Sequence, residues 1–258
     1  MSADWSAGDV TVDIADDHVA TVEFHRPPDN HFDVWLVADI ADALEWIDQQ
    51  PEVRAVVLRS EGKHFCAGAQ FAGGMPRGDG KRSLYEEGAR IFAAKKPIVV
   101  VVQGAAVGGG LGLALTGDFR VGAPEARLVA NFARLGFHQG FGITATLPPI
   151  VGQQRAMEML YTGARLSGEQ AHAIGLLDRL VPLADVRDEA HRMAAEIAES
   201  APLALLSIRQ TLRGDLADKV RAATAIESQR QGELRETEDF AEGRAASLER
   251  RPPKFVGR

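Results

Sequence analysis

The chain has 258 residues, 45% of them hydrophobic and 25% charged, enough apolar material for one large domain or a domain with a helical appendage. Its formal net charge is −7 with no basic stripe, which argues against nucleic acid or an anionic membrane surface as a partner, although basic clusters could hold a small polyanion locally. The single cysteine, Cys66, excludes an internal disulfide and fits a reducing, cytoplasmic setting.

The opening "MSADWSAGDV" has no basic n-region and no apolar core, so it does not read as a signal peptide. No apolar run approaches the ~20 residues that a membrane span needs. Two β-rich runs follow, Val10–Ala15 and His18–Phe24, with Asp16-Asp17 as a hairpin turn. "RPPDN" breaks the second strand. Leu36, Ile40, Leu44 and Ile47 then recur at helical spacing, and Pro51 ends that helix. Val53–Ser60 reads as a buried strand.

The glycine-rich stretch Ala67–Gly80 is long and aperiodic, as functional or mobile loops are, and Gly73–Arg82 could gate a pocket. A helix is predicted over about Arg82–Ala93. "PIVVVVQG" is the next strand, "GGGLGLALTG" opens a helix, and Phe119–Ala123 is another strand. This alternation predicts an α/β core with right-handed crossovers. After Thr144 the chain turns helical. Ser167–Gln170 has the form of a capping box, and Leu176–Pro182 reads as one more short strand. From Asp185 to Arg250 only helices are expected, broken near Ser200–Pro202, Gly214 and Gly232.

Two strand-to-loop junctions share one character, "VVLRSEGKHFCAGAQF" and "VVVVQGAAVGGGLGL". Each is a buried strand followed by small residues that leave backbone N–H groups uncovered. Two such groups aimed at one point form an oxyanion hole, and a helix N-terminus behind the second adds its dipole. Close backbone packing without chemistry is the other reading of each turn. A dinucleotide fingerprint fails on spacing: Gly108 and Gly110 fit G-x-G-x-x-G, but its third glycine position holds Leu113.

Taken together, the motifs resemble the crotonase superfamily, the enoyl-CoA hydratase/isomerase family. "FHRPPDNHFD" is similar to the family's strand-end element and "GKHFCAGAQF" to its first oxyanion motif. "VQGAAVGGGLGLALTGDFRVGAPEARL" is similar to its second, and "GLLDRLVP" and "EGRAASLERRPPKFVGR" also match, so the likeness covers nearly the whole chain. The resemblance implies a crotonase (ClpP/crotonase-like) α/β fold of repeated ββα units. Its core, with the acyl-CoA site, would span residues 1–195, and a helical trimerisation region residues 196–258. It implies an acyl-CoA thioester as substrate, coenzyme A being part of that substrate and no separate cofactor being needed. It also implies a homotrimer or a hexamer of paired trimers. By motif position the two carbonyl-polarising N–H groups belong to Ala69 and Gly109.

The departures from the family pattern bear on the reaction. Hydratases of the family use two glutamates; here those positions are Gly112 and Phe132, and neither can transfer a proton. The resemblance carries Gln70 to the position of the family's aspartate and places Ala67, Gly108, Gly112 and Phe132 at the acyl site. His138 lies in the stretch where the family lines the acyl pocket and is the best remaining titratable candidate; packing or solvent is its other reading. His64 falls where the family passes the coenzyme A adenine, so a binding or surface role is expected. Arg26, Lys254 and Phe255 occupy places where the family meets the coenzyme A phosphates, though charged chain ends are commonly only solvated. His25 and His31 read as loop or surface residues, Cys66 as a small core thiol, and Asp118 as structural. The expected function is therefore an acyl-CoA-transforming enzyme for which ordinary hydration is doubtful. Thioester hydrolysis, ring or C–C cleavage, and isomerisation stay open. A non-catalytic acyl-CoA binder is the rival reading.

Overall fold

Alternating apolar and polar residues build the N-terminal hairpin. The computed structural model describes residues 4–70 and 83–258. β1 (Trp5–Ala7), β2 (Val10–Ile14) and β3 (Val19–Phe24) are antiparallel, with Val10 opposite Phe24 and Val12 opposite Val22. The β2–β3 turn falls at Ala15–His18 as expected, and its left-handed residue is His18, φ 69°. α1 (Val34–Asp48) is capped by Asp33, whose carboxylate accepts from the amides of Trp35 and Leu36 at 3.1 and 3.0 Å.

β4 (Ala55–Ser60) and, after α2 (Leu84–Phe92), β5 (Ile98–Val102) continue the sheet in parallel. The valine run of β5 is buried along its whole length because helices cover both faces of a parallel sheet. Ile98, Val100 and Val102 face the side of α1, while Val99 and Val101 face Ala190 and Ala194 of a later helix. The chain then leaves this sheet. β6 (Ala105–Val107) leads into α3 (Gly109–Ala114); β7 (Phe119–Gly122) returns beside β5, and β8 (Arg127–Val129) pairs with β6.

α4 (Ile143–Val151) and α5 (Gln153–Thr162) precede β9 (Arg165–Ser167), which pairs with β8. α6 (Gly168–Ala173) begins with the Ser167–Gln170 capping box, and β10 (Arg179–Leu180) closes the main sheet. The main sheet runs β1-β2-β3-β4-β5-β7-β10, and a second sheet runs β6-β8-β9. The helical end comprises α7 (Val186–Ala198), α8 (Pro202–Arg213), α9 (Leu216–Arg235) and α10 (Glu238–Glu249).

Breaks at Ser200–Pro202 and Gly214 are present, but α9 runs straight through Gly232. One exposed glycine costs a helix only about 1 kcal/mol, less than burying Ala217, Val220 and Ala223 on its other face gains. Asp118 ties the helical end to the core. Its carboxylate accepts from the Ile98 amide at 2.8 Å, Arg209 at 3.0 Å and Arg213 at 2.9 Å. Among the described residues no helix is long and apolar enough to cross a membrane.

Candidate active site

Cys66 is held between two neighbours by backbone hydrogen bonds. Its N–H donates to the Ala105 carbonyl at 2.9 Å, and its carbonyl accepts from Val107 at 3.1 Å, so the first small-residue turn lies alongside β6. On the other side the segment pairs with Phe32. Phe32 N–H donates to the Gly68 carbonyl and Gln70 N–H to the Phe32 carbonyl, both at 3.0 Å. Successive peptide groups of an extended strand point to opposite sides, so the N–H of Ala69 faces away from Phe32.

Glycine is required at this junction. Gly68 has φ 101°, and a Cβ there would lie 2.8 Å from the Val107 carbonyl oxygen. Gly110 sits so close that a Cβ would meet the Cys66 carbonyl oxygen at 2.2 Å. The two turns, apart in sequence, are therefore one packed unit. Gly109 opens α3, where the first amides have no partner within the helix. Among the described residues the N–H groups of Ala69 and Gly109 donate to no protein acceptor, and both residues line a cavity of about 320 Å³.

Five aromatic residues line that cavity, Phe32, Tyr85, Phe132, Phe137 and Phe141, with Ala67 and Gly108 beside the amides. Phe132 is nearly buried and reaches within 3.7 Å of a Cβ placed on Gly108. Gly112 does not line the cavity; Phe141 covers it, and a Cβ on Gly112 would lie 2.7 Å from the Cβ of Phe141. The Phe141 ring packs against Phe32, centroids 5.3 Å apart, and its backbone takes the left-handed conformation at φ 61°. Positive φ is rare for a bulky residue and persists only where packing enforces it.

His138 does not line the cavity. Its Nδ1 lies 2.9 Å from the Gln139 carbonyl, and its own carbonyl accepts from Gln231 at 3.0 Å. The hydrogen bonds from Gln231 tie this turn to α9. His64 is likewise outside: its Nδ1 accepts from the Ala105 amide at 3.2 Å, pinning the start of β6. His31 Nδ1 lies 3.2 Å from the Gly68 carbonyl. Gln70 is exposed, and the expected gating loop Gly73–Arg82 falls wholly outside the described residues.

Arg26 is engaged by two carboxylates, Asp9 and Asp33, each at 2.8 Å. Burial alone would raise the Asp33 pKa, but the hydrogen bonds from Arg26 and the Leu36 amide, with the Arg26 charge, hold it below the ordinary value. Lys254 and Phe255 lie on the tail along α10. Lys254 N–H donates to Glu242 at 2.7 Å, and Lys254 borders a separate crevice with Asp239 and Arg251. Cys66 is wholly buried, and burial pushes its thiol up to about 12, so it is a core group and no nucleophile.

The helical end supplies residues that sequence reasoning missed. Ser228, Gln231 and Arg235 of α9 line the cavity together with Asn131 and with Tyr85 of α2. The Tyr85 hydroxyl donates to Gln231 Oε1 at 2.5 Å, and Gln231 Nε2 donates on to the carbonyls of His138 and Gln139. Burial, with the nearby Glu227 charge, raises the Tyr85 pKa against the opposing pull of Arg235, so the phenol stays protonated. Nothing in the helical period of α9 distinguishes a cavity wall from an ordinary buried face; only the glycine-flanked "GFG" around Phe141 carried a signal.

A sequence profile described as enoyl-CoA hydratase/isomerase matches residues 15–258. A Bacillus subtilis protein named "Probable enoyl-CoA hydratase" is 32% identical over 249 residues, covering 94% of this chain and 96% of the relative. The 1,2-epoxyphenylacetyl-CoA isomerase of Escherichia coli is 30% identical over 250 residues, covering 93% and 95%. The crystal structure of an enoyl-CoA hydratase/isomerase from Pseudoalteromonas atlantica superposes with a TM-score of 0.87 at 28% identity, covering 96% of this chain and all of that one. The paired turns, the two sheets and the helical end thus belong to a known architecture, and the chain is a member of the enoyl-CoA hydratase/isomerase family.

Proposed function

We propose that the chain binds an acyl-CoA thioester and polarises its carbonyl with the backbone N–H groups of Ala69 and Gly109. The observation that carries this reading is two acceptor-free amides on one packed unit, both opening on an aromatic cavity. A preorganised donor of this kind is worth about 2.7–4 kcal/mol when charge develops on the oxygen. Ala67, Gly108 and Phe132 wall the acyl group beside the amides, and Phe132 sits at one glutamate position without acid/base capacity.

The site favours a reaction that develops negative charge on the thioester oxygen; an isomerisation through an enolate would need its proton acceptor from the substrate or from water, since the described lining supplies no carboxylate pair. Among the described residues the cavity's ionisable side chains are Tyr85 and Arg235. Tyr85, held protonated with its hydroxyl donated to Gln231, cannot act as a base and is a weak acid. The same scarcity of bases favours a second reading, a non-catalytic acyl-CoA binder. Exposed Leu203, Ile208, Leu212, Ile226 and Leu248 on α8, α9 and α10 support self-association into a trimer or hexamer.

Calorimetry with an acyl-CoA and with the matching free acid tests binding; equal affinity for both, or none for either, rejects the reading. Turnover of a panel of acyl-CoA esters separates the enzyme from the binder. Ala69→Pro removes one donor while leaving both hydrogen bonds to Phe32, which use Gly68 and Gln70. It should lower turnover by about 100-fold or more with the melting temperature as the folding control.

A further inference from the structure

The amide pair sits on the unit formed by the Cys66 segment, β6 and α3. Another wall of the same cavity comes from α9, which packs on α2 and α4. On that wall Arg235 is the one charged side chain among the described lining residues. Its guanidinium lies 5.5 Å from the centre of the Phe137 ring, and Phe137 stacks on Phe240 at 4.9 Å. It is also close enough for its charge to act on the Tyr85 hydroxyl.

Among the described residues Arg235 forms no ion pair. Glu236, next to it in the chain, is exposed and makes no ion pair with it among the described residues, and three other acids near it in sequence are engaged elsewhere. Glu233 binds Arg230 at 2.9 Å, Glu238 binds Arg258 at 3.0 Å, and the Asp239 carboxylate accepts from the amides of Val256 and Gly257. Glu227, buried behind the cavity wall, accepts from the amides of Gly142 and Thr144 at 2.9 and 3.0 Å. In the empty chain water solvates the exposed guanidinium. A ligand filling the cavity would strip part of that water and leave a cation on an aromatic surface in need of an anion.

Position relative to the amide pair says which part of a ligand supplies the anion. Ala69, Gly109 and Arg235 line one cavity, whereas the phosphates of coenzyme A stand a whole pantetheine arm from the thioester carbonyl. With the thioester carbonyl at Ala69 and Gly109, an acyl group turned along the Phe137 wall comes to Arg235. We propose that Arg235 receives a carboxylate borne by the acyl group, so that the substrate class is the coenzyme A mono-thioesters of dicarboxylic acids; this rests on the acyl-CoA reading above. A planar guanidinium held on Phe137 can bind a carboxylate through two parallel hydrogen bonds.

The test is calorimetry with matched pairs of thioesters: butyryl- against succinyl-CoA, pentanoyl- against glutaryl-CoA, and hexanoyl- against adipoyl-CoA. The wild-type chain should bind at least one dicarboxylyl member about 10- to 100-fold more tightly than its partner. Arg235→Met should abolish that preference while leaving the monocarboxylic ester within about twofold, and Arg235→Lys should retain part of it. Equal wild-type affinities across every pair overturn the proposal, whether or not the variants fold, and leave the acyl-CoA reading standing. Equal weakening of both members and of free coenzyme A in Arg235→Met assigns the residue to phosphate and also overturns it. No binding of any thioester removes the acyl-CoA reading itself.

Discussion

Phe141 fills the space into which a side chain at Gly112 would grow: a Cβ on Gly112 would stand 2.7 Å from the Phe141 Cβ and 3.0 Å from its Cδ1. The Phe141 ring also lies 3.4 Å from a Cβ placed on Gly88, so it is seated between glycines of α2 and α3. Absence of a carboxylate at position 112 is therefore matched by a second residue that occupies its place. Introducing one means displacing a buried ring.

Gly112→Glu alone is expected to destabilise the fold by about 1–3 kcal/mol through overpacking. In a Phe141→Gly background, which removes the Cβ as well as the ring, Gly112→Glu should cost less than it does in the wild type, although loss of the buried ring is itself destabilising. Urea denaturation of the single and double variants measures it. An equal cost of Gly112→Glu in both backgrounds would show that Phe141 is not the obstacle.

Crotonyl-CoA hydration should run several orders of magnitude below an ordinary enzyme rate of ~1–10³ s⁻¹. Each general acid/base group contributes about 10²–10⁴-fold, and neither Gly112 nor Phe132 supplies one. A spectrophotometric hydration assay decides it. A rate in the ordinary range would mean that another group has taken over the proton transfers.

Cys66 should not react with a thiol reagent such as 5,5′-dithiobis(2-nitrobenzoate) at pH 8 in the folded chain, and should react fully in denaturant. Its thiol is raised by burial to about 12, whereas a free thiol titrates near ~8.5. The unfolded chain releases this proton first as pH rises. The contribution to stability is thus complete below about pH 8.5 and declines through the window up to about 12. Fast labelling of the folded chain would contradict the burial.

Asp118→Asn should cost about 3–5 kcal/mol, because Arg209 and Arg213 would lose the charge that compensates them in a largely buried setting. Arg213→Met, which leaves Arg209 paired, should cost less. Chemical denaturation ranks the two, and a negligible effect of Asp118→Asn would exclude the clamp between α8 and the sheet.

Much of this architecture was legible in the chain because its signals are local. The valine run of β5, the Asp33-to-Ile47 helix, the Ser167 capping box and the two glycine-rich turns each declare themselves within a few residues. The three-residue strands β6, β8 and β9 are too short to show a period, so the second sheet was not foreseen. Gly232 misled because a breaker signal ignores the buried face behind it. His138 was reached by elimination along the sequence, whereas the cavity is closed by Tyr85, Gln231 and Arg235, whose convergence only the packing of α2 on α9 creates. The fit of Phe141 to Gly112 is likewise a tertiary relation that no window contains.

Because α9 finishes a cavity begun by Phe32, Ala69 and Gly109, the order of synthesis matters to this protein. A nascent chain on the ribosome can lay down the paired turns once β8 has emerged, yet it then carries several phenylalanine faces open to water until Gln231 follows. Chains cut short within the helical end would display that same sticky surface. They are natural clients for chaperones and proteases, and the helical end acts as a seal on a half-built interior.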